Sequence, residues 1–439
     1  MTVPVPASVR QSGWIGPRGK PVSSRTMSLS RLAFRLLWLL LFTIPWENML
    51  VVVPAVATIG RLVGVFAFAV GGLAIVESGK LRQPGAVHCL MAASVIWGAL
   101  SVTWTIAAED TVSLILTSVQ LMALVFLIWQ FAPTRFRQRA LLQAYSLGTM
   151  VAASYTIFWY LYKSPVHYQR YAPAGFDPND LGLTMVLGLP MSFYLSLREP
   201  RKTLVWLYRL QMLAVSCAVL LTASRGALLA AIVASIIVPL TFRYCTRRQR
   251  RDHLLLGGAA LLAVATVVPF SSWQRIATFG DEVTSGTMND RKLIWQAGID
   301  LFREQPFHGV GIGGYYAGVE KFLGKPAVGQ LVAHNTFLSI LVEQGIVGFT
   351  IFFSIFFFLL TSVISRRALD RGLWLALLGA WAVGVLSLTW EYEKATWFVF
   401  GILTARLAAT QETSVSQARV AVNPRGYRFR LGFRSIAGL

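Results

Sequence analysis

The sequence predicts an all-α integral membrane protein of about twelve transmembrane helices with one large loop, and three observations carry that expectation. Of the 439 residues, 55% are hydrophobic and only 13% charged, about half the charged share of a soluble chain. Apolar runs of about 20 residues, the length a helix needs to cross the hydrocarbon core, recur along the sequence between short charged patches. The net charge of +21 is distributed by side rather than gathered in one patch, which is a topology signal and leaves nucleic-acid binding without support.

Taken in order, the expected spans fall at 36–53, 56–76, 86–106, 111–131, 140–162, 181–197, 204–221, 227–242, 253–271, 335–361, 373–389 and 395–410. With the N-terminus inside, the even-numbered connections and both tails face the cytoplasm. They carry most of the basic residues, with the strongest clusters at Arg135, Arg137, Arg139 and at Arg247, Arg248, Arg250, Arg251. The acidic residues on that side are Glu77, Glu199, Asp252, Asp370 and Glu412. The organisation is therefore a basic cytoplasmic tail at 1–35, nine helices over 36–271, a large outer loop at 272–333, three helices over 334–410 and a second basic tail at 411–439. The first apolar run resembles a signal peptide, and Ala55-Val56-Ala57 imitates a cleavage site. Its length and Glu47 argue for an uncleaved first helix. Cys89, Cys217 and Cys245 show neither a disulfide framework nor metal-ligand spacing with histidine.

The connection at 272–333 is far longer than a hairpin needs, and loops of that length are functional or disordered. This one has ordered features. Asn289-Asp290 is placed to cap a helix that carries Leu293, Ile294, Ala297 and Leu301 on one stripe and stops at Pro306. A second outer loop, Lys163 to Asp180, ends in the turn and helix-cap sequence Asp177-Pro178-Asn179-Asp180; Asp177 and Asp180 are also potential metal ligands. No internal repeat is visible, which weakens the case for a transporter built from inverted repeats.

The chemistry-bearing candidates gather near the outer mouth. His334 follows the long loop and precedes span 10. It is either an interfacial packing residue or a neutral imidazole able to accept a proton. His88 and His253 begin spans, His167 lies in a tyrosine-rich loop and His308 adjoins glycine, so their contexts are weaker. Glu343 lies roughly 13 Å deeper if the helix is continuous, a half-turn away from His334, whereas Gly345 returns to the His334 face. An intramembrane carboxylate needs a partner, and structural pairing and function both remain open for Glu343. Arg225, in Thr222-Ala223-Ser224-Arg225-Gly226, either snorkels to headgroups or binds phosphate, with Gly226 allowing close backbone approach. Arg291 opens the loop helix, where a cation opposes the helix dipole unless an anion is near. Lys292 points elsewhere, as a solvated neighbour. Gly309-Val310-Gly311-Ile312-Gly313-Gly314 contains G-x-G-x-x-G but lacks a preceding strand. It reads as a compact turn returning the loop to His334, with Tyr315 and Tyr316 as interfacial anchors.

Phe176-Asp177-Pro178-Asn179-Asp180, Thr222 through Gly226, Arg291 with Trp295, Pro306 with Gly309, Gly311 and Gly313, and His334-Asn335 through Leu338 to Glu343 and Gly345, in that order, resemble the O-antigen ligase family. The resemblance extends over most of the chain. The family also contains O-antigen and exopolysaccharide polymerases and protein O-oligosaccharyltransferases, and the motifs do not separate them.

The resemblance implies a GT-C-like glycosyltransferase of the bacterial inner membrane, with a periplasmic active site and a periplasmic loop containing short helices. The implied donor is a glycan linked through diphosphate to undecaprenol. The implied acceptor is the lipid A-core of lipopolysaccharide or, for a polymerase, a growing glycan. It also implies His334 as catalytic base, Arg225 and Arg291 as essential arginines on the diphosphate, and no metal or cofactor. Asn335, Glu343, Asn179 and Trp295 are supporting candidates. Two other classes stay open: a transporter of polysaccharide precursors, which should pair charges near the midplane on discontinuous helices, and a non-catalytic assembly component, which needs no histidine.

Overall fold

The computed structural model describes residues 24–53, 57–163, 170–173, 175–277, 291–323, 331–364 and 368–421. Among these the chain is helical apart from a small antiparallel pair, β1 (Val51–Val53) with β2 (Ala57–Thr58). The helices are α1 (Ser24–Thr43), α2 (Ile59–Ser78), α3 (Ala86–Leu100), α4 (Ala108–Phe131), α5 (Arg135–Lys163), α6 (Pro178–Arg198), α7 (Lys202–Leu221), α8 (Arg225–Ser235), α9 (Ile237–Thr241), α10 (Arg247–Val267) and α11 (Phe270–Ala277). They continue as α12 (Arg291–Glu304), α13 (Tyr315–Leu323), α14 (Thr336–Ile364), α15 (Ala368–Gly384) and α16 (Lys394–Ala421).

Each expected span overlaps a helix, although the first, 36–53, runs on into β1. Among the described residues, eight segments are long and apolar enough to cross a membrane: Ser28–Met49, Ile59–Ser78, Ala86–Thr103, Ala108–Phe131, Pro178–Arg198, Lys202–Leu221, Arg225–Tyr244 and Thr336–Ile364. The other four expected spans lie on α5, α10, α15 and α16. Of these, α15 is 17 residues long, and α5 and α10 open on arginine-rich turns. The first span is shorter than its apolar run: α1 stops at Thr43 and a 3-10 turn, Ile44–Met49, follows. Pro45 explains the change, because it has no N–H to continue the helical ladder.

Small residues let the helices approach. On α2, Gly60, Gly64, Ala67, Gly71 and Ala74 form a buried stripe. A Cβ at Gly64 would meet Leu40 of α1 at 3.7 Å, and one at Gly71 would meet Leu127 of α4 at 2.6 Å. Such stripes drive association where no hydrophobic effect acts between helices and lipid. At the centre, α6 is enclosed along nearly its whole length, and Trp381 of α15 gathers Phe337, Phe352, Phe356 and Phe400 into an aromatic cluster with ring centroids 5.0 to 6.3 Å away.

The long helix α14 is not continuous. At Gly345 the backbone turns to φ 65°, ψ −171°, a conformation reserved in practice for glycine. The carbonyls released by the break are taken up by neighbours: Val310 N donates to Val342 O at 3.0 Å, Gly311 N to Glu343 O at 2.9 Å and Trp97 Nε1 to Gln344 O at 3.0 Å. On the far side, Ile346 N donates to Pro306 O at 2.9 Å. Exchange of partners in this way lets irregular backbone exist at membrane depth.

Candidate functional site

The site is built by the turns that lead into α6, α8, α12 and α14. Asp177 caps α6 by accepting from Asn179 N at 2.7 Å and Asp180 N at 3.3 Å, which matches the turn and cap reading of this stretch. Asp180 in turn accepts from Trp390 Nε1 at 2.9 Å. Asn179 is a junction: its Oδ1 accepts from Arg170 at 2.6 Å and from Ser224 Oγ at 2.9 Å. Arg170 also donates to Thr222 O at 3.3 Å.

Those bonds brace the turn before Arg225. Ser224 caps α8, accepting from Ala227 N at 3.3 Å, so Arg225 is the first helical residue rather than part of a free turn. Gly226 has the expected role, because a Cβ there would run into the Ser387 side chain. Similarly, a Cβ on Gly182 of α6 would lie 2.7 Å from that of Ala227, which holds the start of α8 against α6.

Arg291 is the first described residue of α12; its expected cap, Asn289-Asp290, lies outside the described residues. The helix buries Ile294, Ala297, Gly298 and Leu301 against Val310, Tyr315, Val319, Ala333 and Val342. Leu293, expected on the same stripe, is instead 57% exposed, because that stripe turns inward through Ile294. Lys292 is exposed as expected. Trp295 reaches across and donates to Ala333 O at 2.6 Å, holding the residue before His334.

Immediately after that anchor the chain bends. Among the described residues only Ala223 (φ 47°) and His334 (φ 43°) are non-glycine residues with positive φ, a conformation that costs about 1–2 kcal/mol each. One precedes the Arg225 helix and the other is His334 itself. Strain of this kind persists where surrounding bonds over-determine it. Beyond His334, Asn335 accepts from Leu338 N at 3.1 Å, while Thr336 donates to Val385 O and Leu388 O at 3.0 and 2.9 Å and accepts from Trp390 N at 2.7 Å. His334 therefore projects from a pinned bend ahead of α14. His334 lies ahead of α14 and outside its helical geometry, so the half-turn separation of Glu343 from His334 expected along a continuous helix does not hold.

The electrostatics join these pieces. Burial lowers the His334 imidazole below its ordinary value, the positive charge of Arg291 lowers it further, and Asp177 acts in the opposite direction. Burial likewise lowers Arg291, with Asp177 raising it and Arg225 lowering it. The predicted trio thus shares one neighbourhood with Asp177, whose influence on His334 and Arg291 was not foreseen from its capping role. An imidazole that feels Arg291, which in turn feels Arg225, with both arginines in the first turn of a helix, can accept a proton near a place suited to an anion.

Glu343 stands apart from this group. It is 5% exposed, and its Oε1 accepts from Tyr315 N at 3.3 Å. The glycine stretch does form a turn, with φ of 69°, 92° and 79° at Gly309, Gly311 and Gly313. It docks on the α14 break and on the α3–α4 corner rather than returning directly to His334: Thr111 Oγ1 donates to Ile312 O at 2.6 Å and Ile312 N donates to Ser101 Oγ at 3.2 Å. Glycine is needed because a Cβ on Gly309 would lie 2.5 Å from the Glu343 carbonyl. Tyr315, expected as an interfacial anchor, is buried at 3% exposure and donates to Ile294 O at 3.1 Å. The turn delivers it into the loop core, and Tyr316 is the exposed partner.

The other described histidines have structural partners. His88 accepts from Gly85 N at 3.0 Å, His253 lies 2.6 Å from Gln249 O and 3.2 Å from Ser196 Oγ, and His308 lies 2.8 Å from Gly309 O. His167 lies outside the described residues.

Fold and site together define a multi-pass helical membrane protein with a cationic, histidine-bearing cluster at one end of its bundle. Residues 210–353 match the O-Antigen ligase family, from the middle of α7 through the first half of α14, a stretch that contains Arg225, Arg291 and His334. This match supports a likeness to the O-antigen ligase family over those residues. A search of curated proteins finds no match.

Proposed function

We propose that this protein transfers a saccharide from undecaprenyl diphosphate to a periplasmic acceptor, the lipid A-core in O-antigen ligation, by one inverting displacement. The observation that supports the reading is the electrostatic coupling of His334 to Arg291 and of Arg291 to Arg225, two arginines in the first turns of their helices. His334 takes the proton of the acceptor hydroxyl as its oxygen forms a bond to the anomeric carbon. The bond from that carbon to the diphosphate oxygen breaks, and the two guanidiniums with their helix N-termini neutralise the departing anion. The diphosphate is already an activated leaving group, so no nucleotide is consumed.

Asn179 and Trp295 act as positioning residues, the first through the Ser224 cap and the second through the Ala333 carbonyl. Asn335 shapes the start of α14, and Glu343 supports the glycine loop.

The test is reconstitution of purified protein with lipid-diphosphate-linked glycan and lipid A-core, without ATP. Glycan attached to the core is the expected product. Extension of the donor-linked glycan instead would make the acceptor a growing chain, and movement of intact donor between leaflets without bond cleavage would overturn the transferase reading.

A further inference from the structure

At the other end of α5, α6 and α7 lies a cavity of about 310 Å³ lined by Arg139, Arg198, Arg201, Glu199, Phe136 and Tyr208, among others. The turn before Arg225 follows the end of α7, and the cavity adjoins its start, so the two are separated by roughly 30 Å of helix. We propose that this cavity binds the phosphate headgroup of an anionic phospholipid from the leaflet opposite the candidate active site.

Three features argue for it. Three guanidiniums face one carboxylate, and among the described residues none of the three closes an ion pair. Arg139 donates to the Arg198 carbonyl at 3.3 Å, Glu199 accepts from the Arg201 backbone N at 3.2 Å, and the Arg198 guanidinium lies over the Tyr194 ring, 6.0 Å from its centroid; a guanidinium held by its face still presents its edge N–H groups to phosphate oxygens. The cavity also adjoins the first turns of α5 and α7, and Arg201 stands at the cap position of α7. Cations at a helix start oppose the dipole, and an anion in the cavity removes that conflict.

The third feature selects a lipid over a free anion. The wall combines these charges with Leu195, Leu204 and Tyr208, and Phe136 beside it is 76% exposed. An aromatic that projects into the acyl boundary next to guanidiniums fits a molecule with a charged head and an apolar tail. The start of α10 supplies a contrast, because Arg247 and Arg248 are equally basic but line no part of this cavity.

The experiment titrates delipidated full-length protein in detergent with phosphatidylglycerol, phosphatidylcholine or inorganic phosphate, and reads binding by native mass spectrometry and thermal shift. The expected result is preferential phosphatidylglycerol binding that weakens about 10- to 30-fold in R198Q/R201Q, from about 1 kcal/mol per basic residue, and stays unchanged in R247Q/R248Q. Equal losses in both pairs, no loss in either, or inorganic phosphate binding as tightly as the lipid would overturn the proposal. E199Q keeps it falsifiable if R198Q/R201Q is poorly folded: removing the one carboxylate should tighten binding, and unchanged or weaker binding counts against the site.

Discussion

The two ends of the bundle both concentrate arginine inside a low-dielectric protein, but they resolve the charge differently. At the end formed by the starts of α5, α7 and α10, Arg209 meets Asp252 at 2.9 Å, and Arg406 pairs with Asp370, which also accepts from Tyr194 at 2.8 Å. At the candidate site, Arg225 sits close enough to depress Arg291, and the opposing carboxylate, Asp177, is committed to capping α6. The Arg209–Asp252 and Arg406–Asp370 pairs neutralise their charge within the fold, whereas Arg139, Arg198 and Arg201 at the same end close no ion pair among the described residues. The candidate site sets Arg225 and Arg291 close enough to act on each other near a strained histidine, an arrangement that fits the anionic leaving group proposed above.

The contrast is tested most severely at His334. His334→Ala should reduce transfer about 100- to 10,000-fold, the range for loss of a general base, while donor binding and membrane insertion persist. Activity within a few-fold of the parent would return His334 to a packing role. At the arginines, Arg225→Lys and Arg291→Lys should each slow transfer about 10- to 150-fold, since a lost charge-assisted hydrogen bond costs about 1.5–3 kcal/mol. Near-normal rates at matched membrane levels would remove the diphosphate clamp, because lysine snorkels to headgroups as well as arginine does.

A smaller effect separates the charges around His334. The base must be neutral, so activity falls as pH drops through its pKa, and the acid limb should lie below the ordinary histidine value. Residual activity of Arg291→Gln should show that limb displaced to higher pH, because a lowering charge is lost. Asp177→Asn, which keeps the cap, should displace it to lower pH. Shifts in the same direction would contradict the charge arrangement. Smallest of all, Arg209→Lys retains a cation opposite Asp252 and should leave transfer unchanged at matched membrane levels. A large loss there would erase the distinction between the two ends.

Much of this was legible in the sequence for a definite reason. A membrane span is a local property of about 20 residues, so the apolar runs appear as helices one by one. Proline, glycine and capping residues act within a few positions, so Asp177 as a cap, Gly226 as a close approach and the glycine turn were all readable. Arg225, Arg291 and His334 stood out individually because each has an unusual local setting: a helix start or the edge of a long loop.

What the sequence left open depends on contacts between distant residues. The break in α14 at Gly345 needs partners from Pro306, Val310 and Gly311, and without them an apolar run with one glycine reads as a continuous helix. Tyr315 looks like an interfacial anchor until the turn before it delivers its hydroxyl to Ile294. The role of Asn179 depends on Arg170 and Ser224, and that of Trp295 on Ala333, 38 positions away. Local composition determined which segments are helical and which side chains carry chemistry. Tertiary packing decided which of them meet, because charge, strain and burial at His334 are set by neighbours that the chain order does not bring together.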